Sequence, residues 1–119
     1  MKTLLIALFA TFCFNLNAQT QSEMNAQAAQ DFTQADKQLN ATYQKVLKKF
    51  ADDKLALKYL RATQKAWLVF RDAEIMAHFP HMNEPRYYGT MLGLDLNTLK
   101  KELTEKRTVE LQKFLDEKP

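Results

Sequence analysis

From Met24 onward, apolar side chains recur at steps of four and three: Met24, Ala28, Phe32, Ala35, Leu39, Tyr43, Val46 and Phe50. Such spacing puts them on one stripe of an amphipathic helix many turns long. Thr20-x-x-Glu23 precedes the stripe and has the form of a capping box, in which hydroxyl and carboxylate each satisfy a free amide. It predicts a helix start at Thr20. Asp52 and Asp53 mark a break and a fresh N-terminus. The second pattern places Leu55, Tyr59, Ala62, Ala66, Phe70, Ala73 and Ala77 on one side of a helix, with Leu60 and Trp67 beside it. Its alanines are small enough to let a neighbouring helix approach closely. Pro80 ends it, because proline lacks the amide and disfavours helix in the residue before. A third helix is predicted from about Asn97 to Asp116, with Leu99, Leu103, Leu111 and Phe114 inward. No segment alternates as a half-buried strand does. The expectation is all-α: an antiparallel helical hairpin closed by a third helix, a three-helix bundle.

Polar side chains interrupt these stripes at helical spacing. Gln64, Trp67 and Arg71 share one face of the second helix, Arg107 sits between Leu103 and Leu111, and Asp36 and Asn40 flank Leu39. Burying such groups is costly unless they find partners. The expected arrangement is a structural network of Glu23, Asp36, Asn40, Gln64, Trp67, Arg71 and Arg107. In it Asp36 or Glu23 pairs with Arg71 or Arg107 through the planar guanidinium.

The first residues change the picture of where the chain works. Lys2 supplies a positive start, Leu4 to Leu16 is apolar apart from Thr11 and Asn15, and Leu16-Asn17-Ala18 ends in a small residue. This reads as a signal peptide over residues 1–18, cleaved after about Ala18, followed by one helical domain over 19–119. The run is shorter than the roughly 20 apolar residues of a membrane span, so no integral span is expected in the mature chain. Cleavage removes Cys13, the single cysteine, so the mature chain holds itself by packing and not by disulfides. It also removes Lys2, leaving sixteen basic and fourteen acidic side chains, a net charge of +2. That balance is too mild to argue for nucleic acid or an anionic membrane. Lys45, Lys48 and Lys49 read as a solvated helix face.

Four blocks stand out in order. They are Glu23-Met24-Asn25, Ala35-Asp36-x-x-Leu39-Asn40-x-x-Tyr43, Gln64-x-x-Trp67-x-x-x-Arg71-Asp72 and Leu103-Thr104-x-x-Arg107-Thr108-x-Glu110-Leu111. Together they resemble the LprI-like family of small exported helical proteins, named after a lysozyme inhibitor, over nearly the whole mature chain. The most specific piece is Gln64-Lys65-Ala66-Trp67-Leu68-x-Phe70-Arg71-Asp72-Ala73-Glu74. Where the family's pattern has cysteines, this chain has Gln27, Ile75 and, approximately, Leu99, and the family's Gly-Gly-Ser loop is reduced to Gly89-Thr90-Met91. The resemblance implies a periplasmic or secreted protein that inhibits lysozyme by protein–protein contact. Against a basic lysozyme a net charge of +2 gives no long-range steering, but a local acidic patch of Asp72, Glu74 and Glu84 is available.

Other chemistry finds little support. The mature chain has no cysteine nucleophile, Ser22 is its single serine with no histidine near it in sequence, and glycine-rich phosphate loops are absent. Glu74, His78 and His81 are weak candidates for a metal site, since Glu74 and His78 are four apart on a helix. No cofactor is expected. The best candidate contact surface runs from Phe79 to Tyr88, because Tyr, Arg, Met and Phe are the types that dominate binding hot spots, and its candidate contact residues are Phe79, His81, Arg86, Tyr87 and Tyr88. The same aromatics would also serve to close the open end of the bundle, one tyrosine inward and one outward. The functional expectation is thus a non-enzymatic exported binding protein whose partner is lysozyme or another exported protein. The alternative is an envelope structural or interaction domain that does not inhibit lysozyme.

Overall fold

The structure, a computed structural model, describes residues 2–118, and for residues 2–19 the backbone alone. Within them lie three α-helices and no strand: α1 (Lys2–Lys49), α2 (Lys54–His78) and α3 (Leu92–Asp116), the last entered through a 3-10 turn at Gly89–Met91. The expected start at Thr20 is not a helix boundary, because α1 is continuous from Lys2 and Thr20 lies inside it. The signal-peptide reading of residues 1–18 rests on side chains outside the described residues. No helix among the described residues is long and apolar enough to cross a membrane.

The turn after α1 follows the sequence. Asp53 is the N-cap of α2, and its carboxylate accepts the Ala56 amide at 2.9 Å. Lys49, at the end of α1, reaches over to α3 and donates to the carbonyls of Phe114 at 2.6 Å and Glu117 at 2.7 Å. A cation there satisfies orphan carbonyls and lies at the negative end of the helix dipole. At the far end Gln21 donates to the Thr90 hydroxyl at 2.9 Å. These two ties fix α1 and α3 as parallel neighbours, with α2 returning antiparallel to both.

The closest packing is between α1 and α3, not between α1 and its sequence neighbour α2. Leu39 and Val46 of α1, Leu60 of α2 and Leu111 of α3 form the buried core, with Tyr43, Leu47, Phe50, Trp67, Phe114 and Leu115 packed round it. The predicted stripe of α1 buries Ala28, Ala35, Leu39 and Val46, while Met24 is exposed. Helix α3 begins five residues before the predicted Asn97, at Leu92.

Helix α2 departs most from expectation. Its inward face carries Leu57, Leu60, Gln64, Trp67, Arg71 and Ile75, and its richer apolar stripe faces out. Leu55 and Tyr59 are each 62% exposed and Phe70 is 51% exposed, and Ala62, Ala66, Ala73 and Ala77 are exposed with them. The cause is partnership: the polar residues of the Gln64–Arg71 block meet α1 and α3, and the face that carries them must turn inward.

Leu111→Ala removes a side chain with no exposed surface and is expected to cost about 2–5 kcal/mol. Val109→Ala, on the same helix but 62% exposed, is expected to stay within about 0.5 kcal/mol. Urea unfolding followed by circular dichroism measures both.

Candidate functional site

Two groups of chemistry-bearing side chains emerge, one inside the bundle and one at its end. Inside, Arg107 of α3 is 8% exposed and Gln64 of α2 is 6% exposed. The Arg107 Nε donates to Gln64 Oε1 at 3.0 Å, and its Nη1 meets Glu110 Oε2 at 3.2 Å. A buried guanidinium needs several acceptors, and a glutamine on the facing helix supplies one without adding a second charge to desolvate. Arg71 of α2 lies 3.7 Å from Asp36 of α1 and 3.6 Å from Asp72. Its guanidinium also sits over the rings of Trp67, at 5.3 Å, and Phe32, at 5.9 Å. Asn40 donates to Asp36 at 3.5 Å and completes that side. Thus Asp36, Asn40, Gln64, Trp67, Arg71 and Arg107 come together in two linked sets, one joining α1 to α2 and the other α2 to α3. Glu23 is exposed and joins none of these bonds. Arg107 takes Gln64 and Glu110 as partners instead of an acidic residue of α1, and the role of Glu110 went unread in the sequence. Its spacing of three from Arg107 on one helix was the available signal.

At the end of the bundle, the chain from Phe79 to Tyr88 folds into successive turns: the Met82 amide donates to the Phe79 carbonyl at 3.1 Å and the Glu84 amide to the His81 carbonyl at 2.9 Å. Tyr88 anchors it. Its ring meets Phe79 edge-on at 5.5 Å, and its hydroxyl accepts the His81 amide at 3.1 Å. Tyr87 points outward, 58% exposed, stacked on the His81 ring at 4.2 Å and edge-on to Tyr88 at 4.8 Å. Arg86 holds a left-handed backbone, φ 71°, which is costly for a side chain with a Cβ. Gly89 takes the same φ where no such cost arises and opens the 3-10 turn into α3. The five residues Phe79, His81, Arg86, Tyr87 and Tyr88 therefore belong to one ordered loop, one tyrosine holding it and the other displayed.

Three acidic residues near this end, the ones singled out in the sequence, are engaged. Glu84 meets His81 Nδ1 at 2.6 Å, Glu74 lies 3.4 Å from His78 Nε2, and Asp72 lies beside Arg71. His78 and His81 thus belong to two separate carboxylate pairs. Among the described residues no three His, Cys, Asp or Glu side chains are grouped as a metal site requires. A groove of about 530 Å³ between α1 and α3 is lined by Asp31, Gln34, Gln38, Lys101, Glu105 and Thr108 among others. Its carboxylates are occupied along their own helices, Asp31 by Gln27 at 2.8 Å and Glu105 by Lys101 at 3.8 Å.

A family model described as lysozyme inhibitor LprI matches residues 13–111. An uncharacterized protein of Rhizobium meliloti (strain 1021) is 32% identical over 111 residues, which cover 83% of this chain and 76% of that protein. No solved structure matches.

The interior set generates a stability test. Gln64→Ala leaves the buried Arg107 Nε without its acceptor and is expected to cost about 2–3 kcal/mol. Replacing both partners by apolar residues of similar size, Gln64→Leu with Arg107→Met, is expected to recover most of that loss. Denaturant midpoints of Gln64→Ala and of the double variant decide it.

Proposed function

The chain belongs to the LprI lysozyme-inhibitor family, and from that membership we propose that it is an exported, non-enzymatic protein that inhibits lysozyme by direct contact outside the cytoplasmic membrane. We assign the contact to the loop from Phe79 to Tyr88. The observation that carries this is the way Tyr87 is presented: largely exposed, yet fixed between the rings of His81 and Tyr88. An aromatic side chain ordered before binding loses little entropy on binding, and Tyr and Arg are the residues that most often dominate an interface. The strained backbone of Arg86 beside it is the kind of local cost that persists where a side chain must be aimed.

The partner's chemistry fits such a loop. An enzyme that cleaves a polysaccharide exposes a groove flanked by two carboxyl groups. A protruding loop is complementary in shape to a groove, and Arg86 offers a planar cation that a carboxylate accepts in two parallel hydrogen bonds. The acidic side chains Asp72, Glu74 and Glu84 already lie against basic or imidazole neighbours, so the loop and not an acidic patch carries the reading.

Peptidoglycan lysis by a panel of lysozymes tests this directly, with stoichiometric inhibition of at least one class expected. Tyr87→Ala is expected to weaken that inhibition by about tenfold or more, with helicity unchanged. Arg86→Gly relieves the left-handed strain, so it should weaken inhibition while leaving the melting temperature equal or higher. Full inhibition by both variants removes the loop from the contact. No inhibition of any lysozyme by the folded protein removes the activity.

A further inference from the structure

The outward face of α2 has the pattern of a helix–helix seam. Tyr59, Ala62, Ala66, Val69, Ala73 and Met76 follow one another at steps of three and four, the heptad spacing of a coiled coil. All six are exposed, Tyr59 to 62%, Val69 to 67% and Met76 to 58%, and they lie opposite the side on which Leu60, Gln64 and Ile75 are buried. A solvated helix face carries no such repeat, and exposed apolar stripes of this kind mark interaction sites. We propose that this face is the interface of a homodimer, in which α2 of one copy packs antiparallel on α2 of a second copy of this chain.

The sequence of the stripe selects both the occupant and its direction. In the antiparallel register with the two-fold axis between Trp67 and Leu68, Tyr59 faces Met76 of the second copy, Ala62 faces Ala73, and Ala66 faces Val69. Large side chains meet only at the ends, and the small ones at the centre let the backbones approach. The flanking charges agree: Lys65 comes beside Asp72 of the second copy, and symmetry makes that pair twice. Both side chains are at the surface; that of Asp72 is 70% exposed, and its 3.6 Å contact with Arg71 of its own helix leaves it open to a second cation. Shifting the register by one heptad, so that Ala62 faces Ala66, sets Lys65 against Lys65. In a parallel pair Lys65 flanks Phe70 of the other copy and no charge is matched. Antiparallel packing also sets the two helix dipoles in opposition. A face that complements itself in size and charge about one axis fits a second copy of itself, as an isologous interface requires. The arrangement also covers the helix that packs least on its own bundle.

Sedimentation equilibrium tests this on the protein expressed with its own leader and purified as processed, over micromolar to millimolar concentrations. Reversible dimerisation is expected, with a melting temperature that rises with concentration. Ala73→Glu should give a monomer of unchanged helicity. Lys65→Asp and Asp72→Lys should each weaken the dimer about tenfold by placing like charges together, and the double variant K65D/D72K should restore it to within about threefold. A monomer throughout the concentration range overturns the proposal. So does a dimer that ignores Ala73→Glu, or a double variant no tighter than the singles. If the wild type is a monomer and Ala73→Glu instead abolishes lysozyme inhibition, the face belongs to the enzyme and not to a second copy.

Discussion

The arrangement of the whole bundle depends on the burial of one cation, Arg107. A guanidinium taken out of water must find its acceptors within the protein or destabilise the fold by several kcal/mol. Arg107 finds Gln64 on α2 and Glu110 one turn along α3. Gln64 is on the same face as Trp67 and Arg71, so pairing Gln64 with Arg107 also delivers Arg71 to Asp36 and to the Phe32 ring of α1. One requirement thereby fixes the rotation of α2 about its axis and ties it to both neighbours. The apolar core of Leu39, Val46, Leu60 and Leu111 is small, and it is non-directional, so the polar contacts decide which way each helix turns.

That rotation is where the sequence was hardest to read. Helix α2 carries two stripes, and counting apolar side chains favours Leu55, Tyr59, Ala62, Ala66 and Phe70. The buried stripe is the poorer one, Leu57, Leu60 and Ile75 interleaved with Gln64, Trp67 and Arg71. Periodicity measures where apolar residues cluster, and it assumes that the largest cluster is covered by the chain itself. Here the assumption fails. The clue was the block of polar residues, since Gln64 and Arg71 are in register with Leu60, Trp67 and Ile75. By contrast the all-α class, the stripe of α1, the Asp53 cap and the stop before Pro80 were all legible, because each rests on chemistry local to a few residues. The pairing of α1 with α3 and the Lys49 cap on α3 were not, since contacts spanning over sixty residues leave no local trace.

The loop shows the same division. Its residue types marked it as a contact surface, and the aromatics were expected to do two jobs. The structure separates them: the Tyr88 hydroxyl accepts a backbone amide of the loop, while Tyr87 stays in solvent. The left-handed Arg86 was illegible, because a glycine announces such a conformation and an arginine does not. Ile75 is buried where the family's pattern places a cysteine, so packing occupies a position that a disulfide otherwise would.

Placing the loop at one end of α2 and the heptad seam along its middle has a geometric consequence. With a rise of about 1.5 Å per residue, the start of the loop at Phe79 lies about 17 Å along the helix from an axis between Trp67 and Leu68. An antiparallel pair therefore carries its two loops at opposite ends, about 35 Å apart along the seam. Each is free to meet its own partner, and neither is covered by the association of the two copies. The same helix can then serve both contacts because they use different parts of it: its middle, outward face recognises another α2, and its C-terminal end supports the loop. Its inward face, held by Arg107, is left to the fold alone.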